Sequence, residues 1–221
     1  MRLTSGKKWE VLFISMRKII FESAMSIDGF IEGPHGELDW VIFEHEKCNA
    51  SALLSRFDTI FYGRKAYEKF GIPRLNDQEL PETQRQFYNT LNKMRKYVFT
   101  RTAKHVPGNG MVVSDNLEEE VRRIRGEDGK DIWLSGGADI LRTFADLDLI
   151  DEYVLNVHPV VLKSGKPLFA GIKKQLNLKL LNKRNLQSGV VILRYRPESR
   201  LKMEYYDGRS VQNECERSGA S

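Results

Sequence analysis

Residues 132–144, IWLSGGADILRTF, set the architecture. Ile132 to Leu134 is an apolar strand core, Ser135 to Ala138 is a tight glycine turn, and Ile140, Leu141 and Phe144 give the next segment one buried helical stripe. A strand, a turn and a helix in that order form the unit of an α/β layer fold, a sheet covered by helices. The alternation continues on both sides. Upstream, Lys18 to Met25 (KIIFESAM), Phe57 to Tyr62 (FDTIFY), Tyr97 to Thr100 (YVFT) and Met111 to Val113 read as strands. Between them, helices are predicted over Trp40 to Arg56, Arg64 to Phe70 and Glu82 to Met94, and another from Asp115, whose Glu118 three positions on resembles a capping box. That helix carries Glu118 with Arg122 and Glu119 with Arg123 as i,i+4 pairs. Downstream, Tyr153 to Leu162, Leu176 to Leu181 and Val190 to Tyr195 read as strands, the last two an antiparallel hairpin through Gln187, Ser188 and Gly189. Ser26 to Asp39 holds Gly29, Gly33, Pro34 and Gly36, a long flexible connection and a candidate lid.

The 221 residues fit one domain with extensions, predicted as a flexible stretch over 1–16, a folded body over 17–196 and a polar tail over 197–221. With 41% apolar and 29% charged residues the chain is globular rather than disordered. No run approaches the roughly 18 apolar residues of a bilayer crossing, and the start is too polar for a secretory signal, so a cytoplasmic location is expected. The two cysteines, Cys48 and Cys215, supply no disulfide framework. The histidines form no i,i+3 or i,i+4 pair, no Cys joins them, and no metal is predicted. No G-x-S-x-G elbow anchors hydrolase chemistry. The net charge of +5 is spread along the chain and favours anionic partners weakly, a phosphate-bearing small molecule as well as nucleic acid.

Three turns at strand ends carry anion-binding chemistry. Gly136-Gly137 opens a helix and offers unpaired amides at its positive end, or is a steric turn only. Gly63-Arg64-Lys65 places amides and two cations at another helix start, or is a solvated charge pair beside a turn glycine. Thr100-Arg101-Thr102 ends a third strand with two hydroxyls and a guanidinium, a set suited to a phosphate monoester. Open α/β sheets bind ligands beyond the carboxyl ends of their strands, which gives the three turns a common purpose.

The ordered set resembles the dihydrofolate reductase-like superfamily, and within it the branch related to the reductase domain of riboflavin biosynthesis. The likeness covers roughly Lys18 to Arg196. It rests on Ala24-x-Ser26-Ile27-Asp28-Gly29-x-Ile31, Gly63-Arg64-Lys65-Ala66-Tyr67-Glu68, Phe99-Thr100-Arg101, Ser135-Gly136-Gly137-Ala138, His158-Pro159 and Ser164-Gly165-Lys166-Pro167-Leu168-Phe169. The resemblance implies a three-layer α/β fold: a mostly parallel sheet with an antiparallel C-terminal hairpin and helices on both faces, binding NADPH across its strand ends. Ala24 and Ile31 would border the nicotinamide under the 26–39 loop. Gly63, Arg64 and Lys65 would hold phosphates, Thr100 and Arg101 the adenosine 2′-phosphate side, and Ser135, Gly136, Gly137, Ala138 and Asp139 the pyrophosphate. A pyrophosphate plus an extra phosphomonoester needs glycine amides and additional cations together, which NADH would not.

Two positions depart from the family. Dihydrofolate reductases carry an acid about five residues after a tryptophan on the first helix; from Trp40 that distance lands on His45, leaving Glu44 or Glu46, with Glu44 one turn from Trp40 and taken as the catalytic choice. Ser26-Ile27-Asp28-Gly29 matches the riboflavin reductases, but their Asp-Pro substrate motif has no counterpart after Tyr67, so the substrate stays open between a ribosylamino-pyrimidine phosphate and a dihydropterin. Asp28 would orient substrate or water near the hydride acceptor, or form a turn. The reading is an NADPH-dependent reductase of a small substrate. Its alternatives are a nucleotide-binding or regulatory protein without turnover, and a nucleic-acid module supported only by a pI near 9.1. A homodimer through the C-terminal strands is expected, with no nucleic-acid or membrane partner.

Overall fold

The computed structural model describes residues 16–42, 54–72 and 82–200. Its main sheet has eight strands in the order β5-β4-β3-β6-β1-β7-β10-β9. These are β1 (Ile19–Ser26), β3 (Phe57–Gly63), β4 (Arg95–Phe99), β5 (Gly110–Val113), β6 (Asp131–Ser135), β7 (Glu152–His158), β9 (Leu178–Asn185) and β10 (Val191–Pro197). The first six pair in parallel; β10 runs antiparallel to both β7 and β9. The fold is therefore the α/β architecture expected from the sequence.

Two cores lie on the two faces of this sheet, because alternate strand residues point to opposite sides. Ile19, Phe21, Phe61, Ile132 and Leu134 bury one face against α3 (Leu117–Arg125) and α4 (Ala138–Asp146). Ile20, Ile60, Tyr62 and Val98 bury the other, with Leu91 of α2 (Glu82–Lys93) and Tyr67. The central strands are apolar on both faces, the expected condition of a covered parallel sheet.

Several local expectations resolve differently. The 26–39 connection is not all loop: β2 (Phe30–Glu32) pairs antiparallel with β8 (Lys166–Pro167) as a separate two-stranded flap. Gly165 makes that pairing possible, since its φ is +147° and a Cβ there would lie 2.1 Å from the Glu32 carbonyl oxygen. The helix after Gly63 is one turn, α1 (Arg64–Ala66), continuing as a π-helical turn over Tyr67–Gly71. Gly71 lies so close under the Tyr67 ring that a Cβ would come within 2.4 Å of Cδ2. Helix α3 starts at Leu117 behind Asn116, which is left-handed at φ 47° and makes no side-chain cap bond, while Asp115 accepts from Ser114 Oγ instead. Glu118 pairs with Arg122 at 2.5 Å as expected, but Arg123 turns to Glu120 and Glu127 rather than Glu119. Most of the predicted Trp40 to Arg56 helix lies outside the described residues; Trp40 itself is in a turn. Beyond Pro197, Glu198 N donates to Asn177 O at 2.9 Å and Arg200 Nε stands 3.4 Å from Asp151 Oδ1, so the chain stays attached to the body through Arg200.

Candidate active site

A cleft of about 360 Å³ opens over the C-terminal ends of β1, β3 and β6. Its floor continues one face of the sheet. Along β1 that face runs Ile20, Glu22, Ala24: a core residue, then a carboxyl, then a small side chain. Trp133 and Ser135 of β6 and Tyr62 of β3 complete the floor. One wall is the short helical segment with Lys65, Ala66, Lys69 and Phe70, joined by Phe87, Tyr88 and Leu91 of α2. The flap contributes Ile31, Glu32 and Lys166, and Leu38 and Val41 follow it. Aromatic walls with few polar groups suit a flat conjugated ring.

At one end of the cleft the two glycine turns meet. A Cβ on Gly136 would lie 2.6 Å from Ile140 Cγ2, 3.3 Å from Gly63 N and 3.8 Å from Gly63 Cα. Gly137 faces the flap, with Ile31 Cδ1 at 3.3 Å and Lys166 Nζ at 3.6 Å from its hypothetical Cβ. Gly137 caps α4 with no side-chain hydrogen bond, so the helix start keeps free amides. Here the residues fit a dinucleotide: Gly136 lets the β6 turn pack against Gly63, and Gly137 leaves the α4 N-terminus without a side chain on the flap side, beside a lysine.

Of the residues predicted for the cofactor, Ala24, Ile31, Lys65, Ser135, Gly136 and Gly137 line this one cleft. Gly63 adjoins it through Gly136. Arg64 is exposed and pairs with Glu68 at 3.3 Å. Thr100 and Arg101 follow Phe99, the register partner of Gly63. The Thr100 hydroxyl accepts from Thr102 N and Ala103 N at 3.3 and 3.2 Å, shaping its own turn, and Arg101 is exposed. Ala138 is buried in the first turn of α4 and offers backbone only. Asp139 forms ion pairs with Arg142 at 3.5 Å and Lys166 at 3.8 Å, which offset the cost of an acid beside an anion site.

The catalytic expectations fare differently. Asp28 is not brought into the cleft. Its carboxylate accepts from Ser26 Oγ at 2.6 Å, Leu162 N at 3.1 Å and Lys163 N at 2.8 Å, bonds that hold it ionised below the usual range and tie the β1–β2 turn to the segment after β7. Glu44 lies outside the described residues. His158 is buried; burial pushes its pKa down, and its Nδ1 accepts from Ile42 N at 3.2 Å while Trp40 packs edge-on against the ring. Among the described residues no group of His, Cys, Asp and Glu is placed to hold a metal.

Glu22 is the residue the sequence reading missed. It lines the cleft from a central strand, and Asn156 Nδ2 of β7 donates to its Oε1 at 3.0 Å. Burial raises its pKa above the ordinary value, more than Asn156 and Arg56 lower it. The signal was present: a parallel central strand buried on both faces reads as an apolar run, and an acid within KIIFESAM interrupts it.

A model of the RibD C-terminal domain matches residues 17–192. The chain is 42% identical over 184 residues to the uncharacterized protein YyaP of Bacillus subtilis (strain 168), covering 82% of this chain and 96% of that one. It is 31% identical over 169 residues to the uncharacterized protein YwjB of the same strain, covering 74% and 89%. Among solved structures, a protein ascribed to riboflavin biosynthesis from Shewanella sp. PV-4 superposes with a TM-score of 0.66 at 22% identity, covering 81% of this chain and 98% of that one. A diaminohydroxyphosphoribosylaminopyrimidine deaminase/5-amino-6-(5-phosphoribosylamino)uracil reductase from Thermotoga maritima gives 0.57 at 16%, covering 82% and 57%. Dihydrofolate reductase from Enterococcus faecalis, complexed with NADP(H) and RAB-propyl, gives 0.56 at 14%, covering 81% and 96%. At these identities the superpositions carry the fold alone.

Proposed function

We propose an activity that starts from family membership: the chain belongs to the RibD C-terminal domain family. It is an NADPH-dependent reductase that delivers hydride to a C=N or C=O bond of a small heterocyclic substrate of the ribosylamino-pyrimidine type. The observation that supports this reading is the close approach of Gly136 to Gly63 at the end of an aromatic cleft, which brings together two turns that would each bind an anion.

The residues divide the work. Gly63, Gly136, Gly137 and the first amides of α4 would receive the pyrophosphate, while Arg64, Lys65 and Arg101, all exposed, would supply the cations the extra phosphate needs. Ile31, held over Gly137 by the flap, and Ala24 on the floor would border the nicotinamide, whose reduced ring supplies hydride when bound. Tyr62, Phe70, Phe87, Tyr88 and Trp133 would orient the substrate ring and exclude water. Lys65, Lys69 and Lys166 give this cleft a positive lining suited to a phosphorylated substituent.

A fluorescence titration with NADPH and NADH, followed by absorbance of the reduced ring over pyrimidine and pterin acceptors, tests the reading. The wild type is expected to prefer NADPH, and Arg64→Ala with Arg101→Ala to lose that preference by roughly tenfold or more. No binding of either coenzyme at micromolar concentration overturns the proposal.

A further inference from the structure

We propose that Glu22 is the catalytic acid of this cleft, its Oε2–H handing the substrate the proton that completes reduction, with Asn156 as the positioning residue. The inference rests on the reductase reading and adds the group that reading lacks.

Three observations carry it. First, Glu22 stands on the central strand β1, two residues before Ala24 on the same face, so the carboxyl shares the floor on which the nicotinamide and substrate would meet. Second, its two oxygens differ. Oε1 accepts from Asn156 Nδ2 at 3.0 Å, so the proton of a neutral Glu22 would sit on Oε2. No described residue donates to Oε2. Third, Trp133 Nε1, on the same floor, and Oδ1 of the Asn156 amide that bonds Glu22 are both buried with no hydrogen-bond partner among the described residues. Buried polar groups without partners are uncommon and mark a place a ligand completes.

The surrounding charges offset the burial of this carboxyl only in part. Arg56 attracts the ionised form, but its guanidinium already stands 3.0 Å from Asp131 and 3.7 Å from Glu152. Across the cleft Lys166 is matched by Glu32 at 3.9 Å and Asp139 at 3.8 Å. Lys65 and Lys69 lie on the exposed side of the wall, and burial pushes the Tyr62 hydroxyl pKa up. Desolvation therefore outweighs attraction and raises the pKa of the carboxyl, the direction a proton donor requires.

The step balances. As hydride adds to the carbon of a C=N bond, the π pair moves to nitrogen, nitrogen takes the proton from Oε2, and Glu22 is left a carboxylate while the dihydronicotinamide donor becomes oxidised. Water returns the proton to Glu22 before the next turnover. A C=O bond reacts alike, with oxygen taking the proton.

The full chain labelled with 13C at glutamate carboxyls, with Glu22→Gln assigning the resonance, reads the titration directly and needs no turnover. Glu22 should titrate above the ordinary 4.5, and Asn156→Ala should move the midpoint higher still, since the amide's hydrogen bond favours the ionised form. A midpoint at or below 4.5 overturns the proposal. In turnover, kcat of the wild type should fall as pH rises through that midpoint. Glu22→Gln, which keeps the acceptor for Asn156, should bind NADPH as the wild type does, lose about a hundredfold or more in kcat and lose this pH limb. Turnover kept within about threefold by Glu22→Gln, on the same pH profile, overturns Glu22 while leaving the reductase intact. A wild type that binds no NADPH, or binds it and reduces no acceptor, overturns the reductase and Glu22's catalytic part together.

Discussion

A methyl group added at Gly136 separates stability from coenzyme binding when compared with the same change at Gly137. At Gly136 the new Cβ would stand 2.6 Å from Ile140 Cγ2, about 1 Å inside an ordinary carbon–carbon contact. Ile140 is β-branched on a helix and nearly buried, so its χ1 has one comfortable setting and little room to swing. Overpacking of this kind costs about 2–3 kcal/mol, which for a domain of this size lowers Tm by about 4–12 °C. The methyl also presses on Gly63 N at 3.3 Å and so opens the joint between the two anion corners. At Gly137 the neighbours are Ile31 Cδ1 at 3.3 Å and Lys166 Nζ at 3.6 Å, both ends of flexible side chains, and its φ of −89° suits any residue. Gly137→Ala should therefore melt within about 2 °C of the wild type, since it costs within about 0.5 kcal/mol, yet bind NADPH about tenfold more weakly because the methyl covers the α4 amides. Differential scanning fluorimetry and a fluorescence titration measure the two quantities. The reasoning fails if Gly136→Ala melts with the wild type, or if Gly137→Ala binds the coenzyme unchanged.

Two further outcomes test how the site is held. Tyr67 is fully buried; its hydroxyl donates to Pro107 O at 2.6 Å and accepts from Gly110 N at 2.9 Å, anchoring the turn that carries Lys69 and Phe70. Tyr67→Phe strands both backbone groups, at about 2 kcal/mol, and should lower Tm by about 4–8 °C; a change under 2 °C would contradict the assignment. His158 has its pKa lowered by burial, so on acidification the unfolded chain takes up the proton first, from about 6.5 downward. Stability should thus rise with pH across that window, and urea unfolding of His158→Gln at pH 5 and 7 should show a smaller difference than the wild type; an equal difference refutes the link.

The legible part of this protein was what local periodicity encodes. Alternation of apolar runs with glycine turns marked β1, β3, β4 and β6, while the glycines between β6 and α4 read equally as an anion site or a steric turn, and only the folded chain shows them lining the cleft. Illegible were features created by contact. Nothing near Phe30 announces β2, since its partner Lys166–Pro167 lies over a hundred residues away and a three-residue strand has no periodicity to display. Asp28 left two readings open, because an acid beside glycine can serve a turn or a substrate; only the folded chain reveals the Leu162 N and Lys163 N that donate to it. Glu22 was hidden by its neighbours, whose β-branched and aromatic character made the strand assignment so strong that the one discordant residue within it passed unremarked.

The groove is assembled from Ile31, Gly63, Gly136 and Lys166, four positions drawn from the flap and from two strand ends, so no short segment holds it. The strand order explains why they meet. Placing β6 between β3 and β1 sets Tyr62 beside Ser135 and, two strands over, Ala24 beside Asn156, so that the ends of β3, β6 and β1 share one edge of the sheet. The flap then needs a return from β7 to reach β2, and Gly165 supplies it at a φ other residues rarely adopt. The aromatic half and the glycine half of the cleft are thereby held to one another through β1. Its outer neighbour β7 contributes Asn156 to Glu22 on the side away from the glycines. An acid placed there would approach a substrate ring without competing for the amides proposed to receive phosphate, which is the spatial separation a hydride transfer with a separate proton donor requires.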